Sequence, residues 1–191
     1  MHLRHGDIDT RRGGCVGHAP LQFGAAGAAI VNGGNRVLPT FIKRQADAGQ
    51  ARVALLRPET SAALRDLMRR NVSEPGGTGR RADVPGYAVG GKTGTAELPG
   101  VGGYRKKAVI SSFLAAFPMT RPKYLVFVLL FEPKGTDESG GEVLAGRNAA
   151  PTTARIVSRV GPLLGMLPRA AAAGRADTAF DGTTPAKYEA R

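Results

Sequence analysis

Tryptophan is absent from this 191-residue chain, cysteine occurs once, and acidic residues are scarce. The single cysteine, Cys15, excludes an internal disulfide and any zinc site assembled from paired cysteines. Aromatic residues make up 6%, and none of the basic clusters sits in an aromatic-rich stretch of the kind that stacks bases. Long hydrophobic runs are missing as well. The longest, Tyr124 to Phe131, falls far short of the about 20 apolar residues that a bilayer crossing takes. The first residues, MHLRHGDIDTRRGG, lack the apolar stretch of a signal peptide. The sequence therefore carries no readable export signal or anchor of its own.

What is present in excess is positive charge. Lys and Arg number 27 against 15 Asp and Glu, a formal net charge of +12. Such a surface attracts polyanions. A non-catalytic basic module that binds anionic wall polymer or nucleic acid is therefore one function class. The basic residues are nevertheless scattered, with clusters only at Arg69-Arg70, Arg80-Arg81 and Arg105-Lys106-Lys107, and nucleic acid is not the expected partner. The 42% hydrophobic and 22% charged content is that of a globular domain. Its 27 glycines and 13 prolines predict short elements joined by many turns.

Residues 1–18 show no hydrophobic period and read as an irregular N-terminal arm. Its histidines, His2, His5 and His18, have no spacing or carboxylate pair that would complete a metal site. Pro20 to Val31 reads as a helix opened by proline and stopped by Gly33-Gly34. Arg36 to Ile42 looks extended. Arg57 to Val72 is a second helix, with Leu64, Leu67 and Met68 on one face. Three strands follow: Tyr87–Glu97, Val109–Phe117 and Lys123–Phe131. The last is apolar on both faces, as a central strand would be. Leu98–Gly103 makes a turn, and connections this short predict antiparallel pairing. Asn148 caps a final helix to about Leu164, which Pro162 kinks or ends. From Pro168 the composition is that of a disordered tail.

The segment Gly86-Tyr-Ala-Val-Gly-Gly-Lys92-Thr93 matches the phosphate-cradling pattern G-x-x-x-x-G-K-[ST] letter for letter. That chemistry needs a buried strand before the loop and a helix starting at the Lys-Thr. The flanks Arg80 to Pro85 and Gly94 to Gly100 supply neither. Read as a strand instead, Lys92-Thr93-Gly94-Thr95 lays a cation and two hydroxyls along one edge. Lys92 would supply positive potential for a substrate carboxylate, and Thr93 and Thr95 would donate hydrogen bonds to it. Gly94 would leave room for a peptide-like ligand, and the Thr95 backbone N–H would point at an oxyanion. K-T-G is the third motif of serine acyltransferases of this type.

Further segments extend the pattern. Pro20-Leu-Gln22, Val31-Asn-Gly-Gly34, Gly76-Gly-Thr-Gly79 and Val84-Pro-Gly-Tyr87 precede Gly90-Gly-Lys-Thr-Gly-Thr-Ala-Glu97. Ser111-Ser-Phe-Leu-Ala-Ala-Phe-Pro118, Glu132-Pro-Lys134 and Asn148-Ala-Ala-Pro151 follow it. In this order and spacing, from about Pro20 to Leu167, the chain resembles the C-terminal portion of the transpeptidase domain of class B penicillin-binding proteins. The resemblance implies an α/β fold, an antiparallel sheet with flanking helices, as part of the serine β-lactamase and transpeptidase architecture. It implies residues 19–167 as that portion of the domain, between the 1–18 arm and a 168–191 tail.

In function, the resemblance implies cross-linking of peptidoglycan stems that end in D-Ala-D-Ala. Lys92, Thr93, Gly94 and Thr95 would be the substrate-binding wall, with the Thr95 backbone in the oxyanion hole. No metal or other cofactor is implied. The implied partners are the stem peptide and β-lactams, with other cell-wall synthesis proteins besides. The implied location is the inner membrane, facing the periplasm. The family's S-x-x-K nucleophile and S-x-N motif do not occur in this sequence. Thr40-Phe-Ile-Lys43 has the first spacing with threonine, but in an extended stretch and not where the nucleophile belongs. No catalytic residue is therefore assigned, and the chain alone is expected to be inactive. A truncated gene product or a misplaced start would give this pattern.

Overall fold

The computed structural model describes residues 19–43, 53–100 and 103–169, apart from the side chains of 99–100 and 103–107. The 1–18 arm with its histidines and Cys15, the tail from residue 170, and the Arg105-Lys106-Lys107 side chains lie outside the described residues.

Helices α1 (Pro20–Val31) and α2 (Pro58–Ser73) come first. The strands β1 (Gly90–Gly100), β2 (Gly103–Phe117) and β3 (Tyr124–Phe131) follow, then helix α3 (Ala149–Leu163). Single 3-10 turns form at Arg80–Ala82 and Asp137–Ser139. The strands form one antiparallel sheet in the order β1-β2-β3.

Alternation along β2 sorts its side chains onto two faces. Ser111, Phe113, Ala115 and Phe117 are fully buried. They share a face with their partners on β3, Leu130, Val128, Val126 and Tyr124. Ala149, Ala150 and Val157 of α3 complete this core with Val72, Ala82, Val84, Tyr87 and Val89. Leu114 and Ala116 point the other way, toward α1. A Cβ on Gly27 would stand 2.7 Å from Leu114 Cδ2, so glycine lets α1 lie this close without displacing the leucine side chain. Phe23 stacks on Phe127 with ring centroids 4.7 Å apart.

Local chemistry explains most of the element ends. Pro58 opens α2, and Arg57 holds the cap position. The Asn148 side chain accepts from Ala149 N at 2.7 Å and caps α3. It also accepts from the buried Ser111 hydroxyl at 2.5 Å, which ties the helix start to β2. Ser61, buried on α2, donates to Ile30 O at 2.6 Å and accepts from Gly33 N at 3.0 Å. It thereby serves two backbone groups left over at the end of α1. Pro162 sits inside the last turn of α3, which ends one residue later, and Gly165 at φ 70° turns the chain away. The described chain continues through Pro168 to Arg169, whose N–H donates to Gly86 O at 3.0 Å.

Four expectations need correction. The first strand begins at Gly90 rather than Tyr87, because Gly86 (φ 84°) and Ala88 (φ 46°) adopt left-handed backbone conformations that interrupt an extended strand. Tyr87 is a core residue instead, with its hydroxyl donating to Met166 O at 3.1 Å. The strand apolar on both faces, β3, lies at the sheet's edge among the described residues, and β2 is central. The outer ends of β3 show it, since Leu129 is 43% and Phe131 63% exposed. Leu67 of α2 also points to solvent; Ser61 and Val72 are the buried positions of that helix. Finally, the turn expected over Leu98–Gly103 is shorter. Pro99 pairs with Tyr104 and Gly100 with Gly103, so the strands run on to their connection.

Arg69 joins α2 to the approach to β1. Its Nη1 donates to Val89 O at 2.6 Å and to Asp83 Oδ1 at 2.9 Å. Replacing Arg69 with alanine is expected to cost about 2 kcal/mol, because the buried Val89 carbonyl loses a charged donor. Asp83→Ala, on the exposed side of the pair, should cost under about 1 kcal/mol. Urea denaturation followed by circular dichroism separates the two. Equal losses would mean that the ion pair, and not the carbonyl bond, holds this junction.

Candidate functional site

The four wall residues are consecutive on β1. Lys92 pairs with Leu114, Thr93 with Phe113, Gly94 with Ser112 and Thr95 with Ser111. The pleat therefore divides them between two faces. Thr93 and Thr95 look into an open cleft of about 710 Å³, while Lys92 and Gly94 start from the opposite face. A Cβ on Gly94 would meet Ser112 Oγ at 2.7 Å, away from that cleft.

Lys92 still reaches the cleft side. Its ammonium crosses the strand edge to donate to Thr93 O at 2.7 Å and lies 3.4 Å from Thr93 Oγ1. These bonds also orient the strand's polar groups. Gly91 O accepts from Asn71 Nδ2 at 2.8 Å, and Thr93 O accepts from Lys92. Gly94 O, by contrast, accepts from Ser112 Oγ on the β2 side at 3.3 Å. In an antiparallel ladder this direction alternates residue by residue. Thr93 and Thr95 thus turn both N–H and C=O to the outer edge. Helix α2 covers that edge near Gly91 through Asn71.

The cleft is closed by two loops distant in sequence. One, after α2, contributes Gly76 to Thr78, Arg80 and Arg81. The other, before α3, contributes Glu142 and Leu144 to Arg147. Ala145 N donates to Thr95 Oγ1 at 3.2 Å, so the second loop is fastened to the wall. That bond uses a lone pair of Thr95 and leaves its hydroxyl proton for a ligand. Arg147 faces Glu142 at 3.4 Å, and Arg81 donates to Glu138 O at 3.0 Å. Three guanidinium groups against one carboxylate in the lining make the cleft attractive to anions.

Sequence reasoning missed Asn71, Thr78 and the three arginines, Arg80, Arg81 and Arg147, as site residues. Gly76-Gly-Thr-Gly79 stood out as a segment, but nothing local links it to Thr93. The phosphate-loop reading finds no support in the backbone here. Lys92 and Thr93 lie inside β1, so no helix N-terminus follows them to receive a phosphate. Thr40-Phe-Ile-Lys43 is a surface stretch with Phe41 93% exposed, and the Thr40 hydroxyl accepts from Ile42 N and donates to Ile42 O, two residues on.

An antiparallel sheet with a K-T-G-T edge strand, flanked by helices, is the architecture of the penicillin-binding transpeptidases. Residues 8–157 match the model of the penicillin binding protein transpeptidase domain, and the chain belongs to this family. The match starts inside the segment read as an arm and ends at residue 157, short of Leu167, where the resemblance ends. A probable peptidoglycan D,D-transpeptidase FtsI from Caulobacter vibrioides is 38% identical over 174 residues, covering 85% of this chain and 30% of that protein. Stage V sporulation protein D of Bacillus subtilis is 37% identical over 170 residues, covering 84% of this chain and 25% of that protein. The chain thus spans less than a third of the length of either relative. Among solved structures, the transpeptidase domain of Burkholderia pseudomallei penicillin-binding protein 3 superposes with a TM-score of 0.68 at 31% identity. That overlap takes in 78% of this chain and 43% of the other. Among the described residues, no helix is long and apolar enough to cross a membrane.

Proposed function

We propose that residues 19–167 form the substrate-binding wall of a serine D,D-transpeptidase that cross-links peptidoglycan stems. The observation that carries this reading is the open edge of β1. There the Thr93 and Thr95 backbone groups face outward beside the Lys92 ammonium and two threonine hydroxyls. An extended peptide can pair with such an edge.

In this mechanism the terminal carboxylate of a D-Ala-D-Ala stem, or of a β-lactam, lies against Lys92 Nζ and the Thr93 and Thr95 hydroxyls. The Thr95 N–H donates to the scissile carbonyl oxygen, where negative charge grows as a nucleophile adds. A serine oxygen forms the new bond to that carbon, and the terminal D-alanine leaves with a proton on its amine. The amine of a second stem then attacks the ester, releasing the serine and completing the cross-link. The serine belongs to S-x-x-K, which this sequence does not contain, so these residues bind and polarise but do not attack. The work takes place on the outer face of the cytoplasmic membrane, where the stems are, together with other cell-wall synthesis proteins.

The test is a chimera. The matching C-terminal part of the Burkholderia penicillin-binding protein 3 domain is replaced by residues 20–167 of this chain, and acylation by a fluorescent penicillin is timed. Labelling is expected. Lys92→Ala should slow it about 10- to 100-fold, the worth of one charge-assisted bond to the carboxylate. A folded chimera that takes no label, or one whose rate ignores Lys92, overturns the reading.

A further inference from the structure

The cleft holds a chain of polar groups that the wall reading does not use. Asn71, near the end of α2, donates from Nδ2 to Gly91 O at 2.8 Å. Its Oδ1 accepts twice from Thr78, from the backbone N at 3.0 Å and from the hydroxyl at 2.9 Å. The Thr78 hydroxyl oxygen in turn lies 2.8 Å from Thr93 Oγ1. Helix, the glycine-rich loop after it and, 15 residues beyond Thr78, the edge strand meet in this line.

Counting donors sets its direction. The Asn71 amide cannot be turned over, since that would set its NH₂ against the Thr78 N–H and its oxygen against the Gly91 carbonyl. Asn71 Oδ1 is therefore an acceptor only. In the empty cleft, Thr78 gives its one hydroxyl proton to Asn71. The proton between Thr78 and Thr93 must then come from Thr93. Lys92 can only donate. The line runs one way, from Lys92 through Thr93 and Thr78 to Asn71, and the Thr93 proton points inward.

A carboxylate only accepts. For Thr93 to bind one, its proton has to swing away from Thr78 and out to the ligand. Thr78 can then turn its own proton onto Thr93 Oγ1. Asn71 Oδ1 stays satisfied, because it keeps the Thr78 N–H. Both arrangements have the same number of hydrogen bonds, and no covalent bond changes.

We propose that Thr78 is the positioning residue of this site: a hydroxyl relay that holds Thr93 in place and turns its donor toward an incoming peptide carboxylate. The proposal rests on the reading of Thr93 as a carboxylate donor. In the liganded arrangement Thr78 also polarises Thr93, which strengthens its bond to an anion. Asn71 acts through Thr78 and fixes the loop to β1 by the Gly91 bond.

A double-mutant cycle on the full 191-residue chain tests this, with N-acetyl-D-alanyl-D-alanine as the probe and ligand-detected NMR as the readout. Thr78→Val is expected to weaken binding about fivefold, the size of one neutral hydrogen bond, and Thr93→Val about tenfold or more, since its bond is to a charged group. The double variant should bind no worse than Thr93→Val alone, because Thr78 acts only through the Thr93 hydroxyl. Thr78→Ser, which keeps the hydroxyl, should bind like the parent. Should Thr78→Val fail to fold by circular dichroism, Thr78→Ala gives the same comparison. Losses that multiply in the double variant would mark Thr78 as a structural support and overturn the relay alone. So would a Thr78→Val variant that binds like the parent. A parent chain that does not bind the dipeptide, or whose binding ignores both Lys92→Ala and Thr95→Ala, overturns the wall reading and the relay with it.

Discussion

Phe113→Ala is expected to destabilise the chain by about 3–5 kcal/mol, the cost of emptying a fully packed aromatic site. Phe113 is 0% exposed, on the central strand, in the core beneath α3. Its ring fills space that two glycines leave open. A Cβ on Gly79 would lie 3.0 Å from the ring, and one on Gly91 2.6 Å from it. The ring thus supports the cleft loop and the wall strand together. Because small domains are stable by only about 5–15 kcal/mol, the variant would lose a large share of its folded population. Urea denaturation followed by circular dichroism measures this. A loss below about 1 kcal/mol would show that the ring is not wedged between loop and strand.

Gly91→Ala should be nearly as damaging, at about 2–3 kcal/mol, by overpacking. Its new Cβ would stand 2.6 Å from Leu114 O and 2.6 and 2.7 Å from Phe113 ring atoms. A ring can shift, but the Leu114 carbonyl is backbone of the central strand. Relief therefore requires β1 to move off β2 beside Lys92. In the chimera this variant should lose penicillin labelling as well as stability. Phe113→Leu should not restore it, since the backbone contact remains. Gly94→Ala is the control. Its Cβ would meet only Ser112 Oγ, at 2.7 Å, and a serine hydroxyl can rotate aside. A loss under about 1 kcal/mol is expected there. Equal damage at Gly91 and Gly94 would mean that β1 tolerates no side chain for some reason other than its approach to β2.

The exposed ends of β3 stand apart from these packed positions. Leu129 and Phe131 lie on the α1 side of the sheet, where Leu114, Leu125 and Phe127 meet α1, yet they stay 43% and 63% exposed. An edge strand with exposed apolar side chains invites pairing with other chains. Substitutions that place charge at Phe131 are the simplest aid to handling the chain in solution.

Much of the architecture was legible in the residues because it depends on near neighbours. Proline at Pro20 and Pro58 starts two helices, and Asn148 caps the third, since each acts within one turn of itself. Val109 to Phe117 reads as a strand from its own alternation. The K-T-G-T segment reads as an extended edge from its small and hydroxylated residues, and the run of family-like segments identified the fold. The tertiary structure decided what depends on partners far along the chain. Left-handed backbone at Gly86 and Ala88 moved the start of β1, and among the described residues sheet order made apolar β3 an edge strand. Folding brought Asn71 and Thr78 to Thr93, and it set three arginines from two loops around one cleft. No local pattern encodes these, because a hydrogen bond between residues 15 or 20 positions apart exists only once the helix, loop and strand have packed together.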